Sequence, residues 1–490
     1  MPGDIPRTAF RLDHGYTFPV ALRTDEPQAG NVVVGQSSAG TPMCAFFLGK
    51  LAEFQAMNKK VWLDSQGAHA VYVMGKRRSG KTFTLGVLAE GLVASGWINQ
   101  GREPQAVLIL DTMNVFLTMP HVVLDTFGKD HADSRELARW GIAAEKPNLT
   151  LYFPRGTEAP PEGSPRELSL RAHDLGAEDW AALFEVDTYS DPIGQLIAEV
   201  HECVAIEGYG DRNQRHVPPK PEYAIDDLLA CLDNNPRVDR YESRTVEAVR
   251  RRLSAVRRLS IFSSGGTDIK EVFRPGHVSV VLLRDLDHRV RGLLIGSLVK
   301  RIMDLRSVSD RYERLAAVHL ARHGSMTKDS PEALAELEVS RDYTGRAVAG
   351  LGRGWIIIDE AHNYIPSRGV VASKAPLRKY INEGRNLGLS IVVATQQPSG
   401  LDPAIQRNAD ILIVHAMSMR DDIATAEAMV NTFIPDRVTY DGREEITTRT
   451  FEQLVRSLDR GYAVISTDRA NRVFPVKIRP RLTVHGGKEY

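Results

Sequence analysis

Gly75 to Thr82 reads Gly-Lys-Arg-Arg-Ser-Gly-Lys-Thr, the form G-x-x-x-x-G-K-T. Each residue type has a task in holding a polyphosphate. Glycines let the backbone wrap so that successive N–H groups face phosphate oxygens. Lys81 supplies a mobile cation for the β- and γ-oxygens, and Thr82 supplies a hydroxyl for Mg²⁺. Phe83 opens a helix whose first N–H groups add donors and a positive partial charge. Gly75, Lys76, Arg77, Arg78, Ser79, Gly80, Lys81, Thr82 and Phe83 are therefore the candidate nucleotide ligands, and ATP with Mg²⁺ is the expected cofactor pair. The motif counts only between a strand and a helix. Val71 to Met74 is apolar, and Phe83, Leu85, Val87, Leu88 and Leu92 carry a helical apolar pattern.

Two further stretches could complete that chemistry. Ile356-Ile357-Ile358-Asp359-Glu360 is an apolar strand ending in two carboxylates. Asp359 would hold Mg²⁺ through water, and Glu360 would polarise the attacking water. His362 either couples nucleotide state to movement or merely starts a helix. Ala394-Thr395-Gln396-Gln397-Pro398 ends another apolar run, where Gln396 is placed to sense the γ-phosphate or orient water. Arg385, in Glu383-Gly384-Arg385-Asn386-Leu387-Gly388, is either a partner for a helix dipole or an arginine finger reaching the next subunit's ATP. Arg250-Arg251-Arg252 and Arg257-Arg258 share a helix with Glu247, which fits a solvated or subunit-facing surface better than a phosphate-backbone contact.

These residues need a scaffold. Apolar runs at 107–110, 278–283, 355–358, 391–394, 411–414 and 462–465 alternate with helical patterns, which implies a parallel α/β sheet. Four parts are expected: a small region over 1–60 with a possible short β cap; the first part of an ATPase core over 61–154; a mostly helical insert over 155–275; and the second part of the core over 276–490. Residues 309–352 read as charged and helical. With 490 residues, 42% apolar and 25% charged, the chain has the composition of a globular protein. Lys+Arg and Asp+Glu are both 62, so the whole is neutral, and any nucleic-acid surface has to be local. Cys44, Cys203 and Cys231 form no C-x-x-C pair, which argues against a disulfide framework or thiolate metal site. Absence of a long apolar run and of an apolar signal core leads to an expectation of a cytoplasmic protein without membrane insertion.

These motifs resemble the HerA branch of the HerA/FtsK motor ATPases. The likeness covers roughly residues 60–112, 278–306 and 354–485. It rests on Leu63-Asp64 and His69 before the phosphate loop, Asp359-Glu360-Ala361-His362, Gly384-Arg385-Asn386-Leu387-Gly388, Thr395-Gln396-Gln397-Pro398 and the terminal His485-Gly486-Gly487. It implies a RecA-like P-loop NTPase core, a trans-acting Arg385 and a homo-hexameric ring. It further implies a DNA translocase or helicase that moves double-stranded DNA beside a nuclease or NAD-consuming effector, as in DNA-end processing or antiviral defence. An ATPase scaffold with little translocation, or a conjugation or secretion coupling ATPase, are the alternatives. Arg78 stands where the family has a glycine, and this should hinder a positive φ at that position.

Overall fold

Valine and isoleucine dominate the runs named above, and in a computed structural model of the chain they are strands buried on both faces. The model describes residues 32–35, 44–53, 59–95, 98–99, 104–323, 351–430, 433–436, 438–442, 446–467 and 473–487. Thirteen strands among them form one sheet. In chain order these are β1 (Val32–Val34), β2 (Ala45–Leu51), β3 (Lys60–Asp64), β4 (Ala70–Met74), β5 (Ala106–Asp111), β6 (Leu149–Pro154) and β7 (Arg166–Leu168). After a two-stranded ribbon, β8 (Tyr209–Gly210) with β9 (His216–Val217), come β10 (His277–Leu282), β11 (Gly354–Ile358), β12 (Leu389–Thr395) and β13 (Ile411–Val414). A second ribbon, β14 (Val438–Asp441) with β15 (Ile446–Arg449), precedes β16 (Tyr462–Thr467) and β17 (Phe474–Ile478). The sheet order is β1-β3-β2-β17-β16-β13-β4-β12-β11-β5-β10-β6-β7.

From β13 across to β7 every neighbouring pair is parallel. The register sets Met74 beside Thr395, Ile358 beside Leu110, and Leu282 beside Asp111. The carboxyl ends of β4, β12, β11, β5 and β10 therefore emerge along one edge, the place where open α/β sheets hold ligands. Side chains alternate across the sheet. Val71 and Val73 face the helix Lys81–Val93, with Leu85, Val87 and Leu88 in the same apolar cluster. Tyr72 and Met74 face the opposite layer, which holds Leu377, Leu294 and the insert's Trp180 and Leu253.

Between β7 and β10 the chain is mostly helical, with helices at Ala177–Leu183, Pro192–Glu202, Ile225–Asn234 and Ser243–Arg257. Local signals start them: Asp191 accepts from the Ile193 N–H with Pro192 in the first turn. Trp180 is wholly buried and donates to the Tyr223 hydroxyl at 2.8 Å. On Ser243–Arg257, Arg250 pairs with Asp233, Arg251 with Glu247 and Arg257 with Asp226. Cys203 and Cys231 are buried free thiols here, and Cys44 is a partly exposed one. Residues 1–31 lie outside the described residues, but β1 and β2 run in the main sheet through pairings of β1 with β3 and of β2 with β3 and β17. The helix His288–His323 covers the first part of the expected charged helical stretch, and 324–350 lie outside the described residues. Among the described residues no helix is long and apolar enough to cross a membrane.

Candidate nucleotide site

The loop from Gly75 to Gly80 joins β4 to the helix Lys81–Val93. Two observations explain its glycines. A Cβ on Gly75 would meet Ser79 Oγ at 2.6 Å and His415 Cβ at 2.7 Å, while Gly80 stands at φ 111. The expected difficulty at Arg78 did not keep it from positive φ: it adopts φ 64, an uncommon conformation for a residue with a side chain. Lys76, Arg77 and Arg78 are exposed, whereas Ser79 is buried and its hydroxyl has no partner. Lys81 is buried and folds its ammonium back to the Lys76 carbonyl at 3.0 Å. Burial lowers its pKa, partly opposed by the charges of Glu360 and Asp359. An ammonium on a loop carbonyl is a donor held where phosphate oxygens would be cradled.

Below the loop sits a residue the motifs did not flag. His415, at the end of β13, is fully buried between Thr84 Oγ1 at 3.0 Å and the Tyr462 carbonyl at 2.9 Å. Burial drops its pKa to about 4, with the Lys81 charge acting the same way. A carbonyl only accepts, so Nδ1 carries the proton and Nε2 accepts from the threonine hydroxyl. The Lys76 N–H donates to the Ala416 carbonyl at 2.8 Å, so β13 braces both ends of the loop.

The end of β11 brings the carboxylates in. Thr82 Oγ1 donates to Asp359 Oδ2 at 2.7 Å. Burial raises the Asp359 pKa, as does the neighbouring Glu360 charge. Glu360 itself adopts φ 50, and Gln396, just past β12, donates through Nε2 to Glu360 Oε1. The other oxygen, Oε2, is buried and has no hydrogen bond among the described residues; His362 Nδ1 lies 3.5 Å from it but bonds to Thr395 Oγ1 at 3.0 Å. Burial lowers the His362 pKa, which favours its neutral form. On β5, Asp111 accepts the N–H groups of Met113, Val115 and Phe116, yet burial lifts its pKa to about 6. It thus shapes the turn beside Asp359 rather than offering a free ligand. Phe83 is half-buried and meets the His485 ring edge-on, centroids 5.6 Å apart.

The oxygen pair Thr82 and Asp359 suits a hard divalent cation. Among the described residues no group of three or more His, Cys, Asp or Glu is placed to hold a metal. A Mg²⁺ ion here would draw the rest of its shell from water and phosphate oxygens, as such ions do.

Arg385 is not in this cluster. It occupies a single 3₁₀ turn, Gly384–Leu387, ahead of β12, at the opposite edge of the sheet. Its Nη2 meets Asp410 Oδ2 at 2.9 Å and its Nε reaches the Ala68 carbonyl at 3.3 Å. Ala68 precedes β4 and Gly75 follows it, so roughly 20 Å of strand separates Arg385 from its own phosphate loop.

No family model matches the chain, and no curated protein matches its sequence. Solved structures do resemble it. VirB4 of Thermoanaerobacter pseudethanolicus is similar at 12% identity, with a TM-score of 0.48 over 90% of this chain and 97% of that one. The plasmid coupling protein TrwB in complex with ADP and Mg²⁺ is similar at 12% identity, with a TM-score of 0.46 over 92% and 98%. The genome packaging NTPase B204 from Sulfolobus turreted icosahedral virus 2, in complex with ATP-gammaS, shares 12% identity over 43% of this chain and 72% of that one, with a TM-score of 0.23.

Beyond the motifs, one more cluster supports the site. Glu90, on the phosphate-loop helix, is fully buried with Arg479 at 3.3 Å and Arg481 at 3.0 Å. Thr483 Oγ1 and the Leu482 N–H also donate to it. Burial alone would raise its pKa, but the two guanidinium charges and these donors hold it below the usual carboxylate range. The only sequence signal was arginine at two alternate positions, Arg479 and Arg481, following Lys477 in the same alternation.

Proposed function

We propose that this chain is a Mg²⁺-dependent ATP hydrolase of the HerA/FtsK type, working as a homo-hexameric ring that moves or unwinds double-stranded DNA beside a nuclease or other effector. One observation carries the reading: Lys81, Thr82, Asp359, Glu360 and Gln396 share one sheet edge, while Arg385 sits at the other. Loop N–H groups and Lys81 bind the β- and γ-phosphates. Thr82 and Asp359 would hold a Mg²⁺ ion, which would supply charge neutralisation for those phosphates. Gln396 fixes Glu360 through Oε1 and leaves Oε2 to accept a proton from water as it attacks. Fast hydrolysis needs a cation beyond Lys81 to meet charge on the transferring phosphoryl group. Arg385 cannot serve its own site across the sheet, so it serves the next subunit's.

Mixing tests this. Arg385→Ala should cut turnover by on the order of a thousandfold with ATP affinity little changed. Lys81→Ala should abolish tight ATP binding. Mixed rings should recover activity above either variant alone, because some interfaces then join an intact loop to an intact finger. Absence of recovery despite verified mixed assembly would place Arg385 outside catalysis in trans.

The arginines of Ser243–Arg257 that pair with Asp226, Asp233 and Glu247 favour a second reading, an ATPase scaffold that assembles an effector with little translocation. Addition of double-stranded DNA separates the two: a translocase gains ATPase rate and a scaffold does not.

A further inference from the structure

Arg385 is docked rather than free, and what docks it is unusual. Asp410, just ahead of β13, is 93% buried by its side chain, whose relative exposure is 7%, while the guanidinium it binds is 39% exposed. Asp410 Oδ1 is fixed by the Ala70 N–H at 2.7 Å. Its Oδ2 is shared between Arg385 Nη2 at 2.9 Å and His69 Nδ1 at 2.7 Å. His69 is buried too; its Nε2 has no hydrogen-bond partner among the described residues and faces Asp64 Oδ2 at 3.7 Å. The other contacts of the guanidinium are long, 3.3 Å to the Ala68 carbonyl and 3.5 Å to that of Asn408. Among the described residues, the one short, charged contact on Arg385 is therefore to a carboxylate held by the Ala70 N–H and by His69.

We propose that Asp410 is the positioning residue of Arg385: it holds the guanidinium at the sheet edge offered to a neighbouring copy of the chain, and His69 in turn holds Asp410. The proposal rests on the trans-acting reading of Arg385 given above. Three features fit it. The turn carrying Arg385 is itself fixed, because Gly388 closes it at φ 72 and a Cβ there would meet the Arg353 side chain at 2.9 Å. A guanidinium has five donors, so the contacts to Asp410, Ala68 and Asn408 still leave an N–H on each terminal nitrogen for a phosphoryl group. His69, which carries a proton because the two carboxylates outweigh its burial, offsets part of the negative charge that faces Arg385. A guanidinium on a long side chain gains most from such pre-orientation, since a misplacement of about 1 Å costs on the order of a hundredfold in rate.

Asp410→Asn keeps the shape and the acceptor for Ala70 but removes the charge. Its kcat for ATP should fall on the order of ten- to a hundredfold with KM unchanged, and Asp410→Glu should recover part of the loss. Mixing locates the defect. Asp410→Asn subunits have a sound phosphate loop and a displaced finger, so Lys81→Ala subunits should rescue them and Arg385→Ala subunits should not. Normal kcat in a folded Asp410→Asn protein overturns the proposal. So does failure of Lys81→Ala to rescue Asp410→Asn while it still rescues Arg385→Ala, because the defect then lies inside Asp410's own site. If neither pair is rescued, the trans-acting reading of Arg385 has failed and the positioning role falls with it. Should Asp410→Asn not fold, as judged by circular dichroism, the same pairings with the charge-removing Asp410→Ser decide the matter: a kcat loss rescued by Lys81→Ala supports it, and an unchanged kcat overturns it.

Discussion

Glu360 combines a positive φ with one buried carboxylate oxygen that has no partner and another held by Gln396. Both features cost stability, and such costs gather where chemistry is done. Glu360→Gln keeps the volume and removes the proton acceptor. ATP should still bind, because Lys81, Thr82 and Asp359 are untouched, while turnover falls on the order of a hundred- to ten-thousandfold. Nucleotide binding by fluorescence and phosphate release in single turnover check both halves, and normal release would reduce Glu360 to a strand-end carboxylate. These groups were readable from sequence because each sits in a short contiguous pattern: a glycine loop, or an apolar strand with polar residues at its end. The roles of His415 and Asp410 were not readable. Thr84 and His415 are 331 residues apart, and His69 and Asp410 are 341 apart, so only folding brings them together.

At the level of elements, the parallel centre was legible because a buried parallel strand is a near-continuous apolar run that needs no partner to be recognised. The antiparallel flank was less so. β1 is three residues long, and the place of β2 depends on pairing Leu51 with Val476 of β17, far along the chain. From sequence, the first sixty residues suggest a possible cap; β1 and β2 run instead within the same sheet. One cluster ties the segment after β17 to the phosphate-loop helix. Glu90 there pairs with two buried arginines, and Gly86 leaves room for one of them: a Cβ at Gly86 would meet Arg481 Cζ at 2.4 Å. Glu90→Gln would strand two guanidinium charges out of water. Removing one partner of such a buried set costs about 3–5 kcal/mol. Urea unfolding should show that loss, and a change below about 1 kcal/mol, the scale of a surface ion pair, would mean that water reaches the cluster.

For the whole molecule, the sheet has two ends with different electrostatics, and pH separates them. At the phosphate-loop end the histidine is neutral: His415 has a pKa of about 4. At the Arg385 end the histidine is charged. Burial would lower the His69 pKa, but the hydrogen bond to Asp410 and the nearby charges of Asp410 and Asp64 raise it from 6.5 to about 9. A base with a raised folded-state pKa stabilises the fold fully below its unfolded value, and that stability is lost as pH climbs through the folded value. The window is therefore pH 6.5 to about 9. A shift of this size corresponds to on the order of 3 kcal/mol. Asp410, which faces His69, does not titrate in this window: its pKa is lowered by His69 and Arg385 despite its burial. Histidines with depressed pKa values, such as His277 at about 4, act in the opposite direction but only below pH 6.5. Wild-type protein should thus lose unfolding free energy between pH 6.5 and 9, measured by urea titration at several pH values. His69→Asn should be less stable at pH 6.5 and nearly flat over the same range, the two curves converging toward pH 9. A slope in His69→Asn equal to that of the wild type would show that another group carries it, and that the Asp64–His69–Asp410 chain is not held together by a proton.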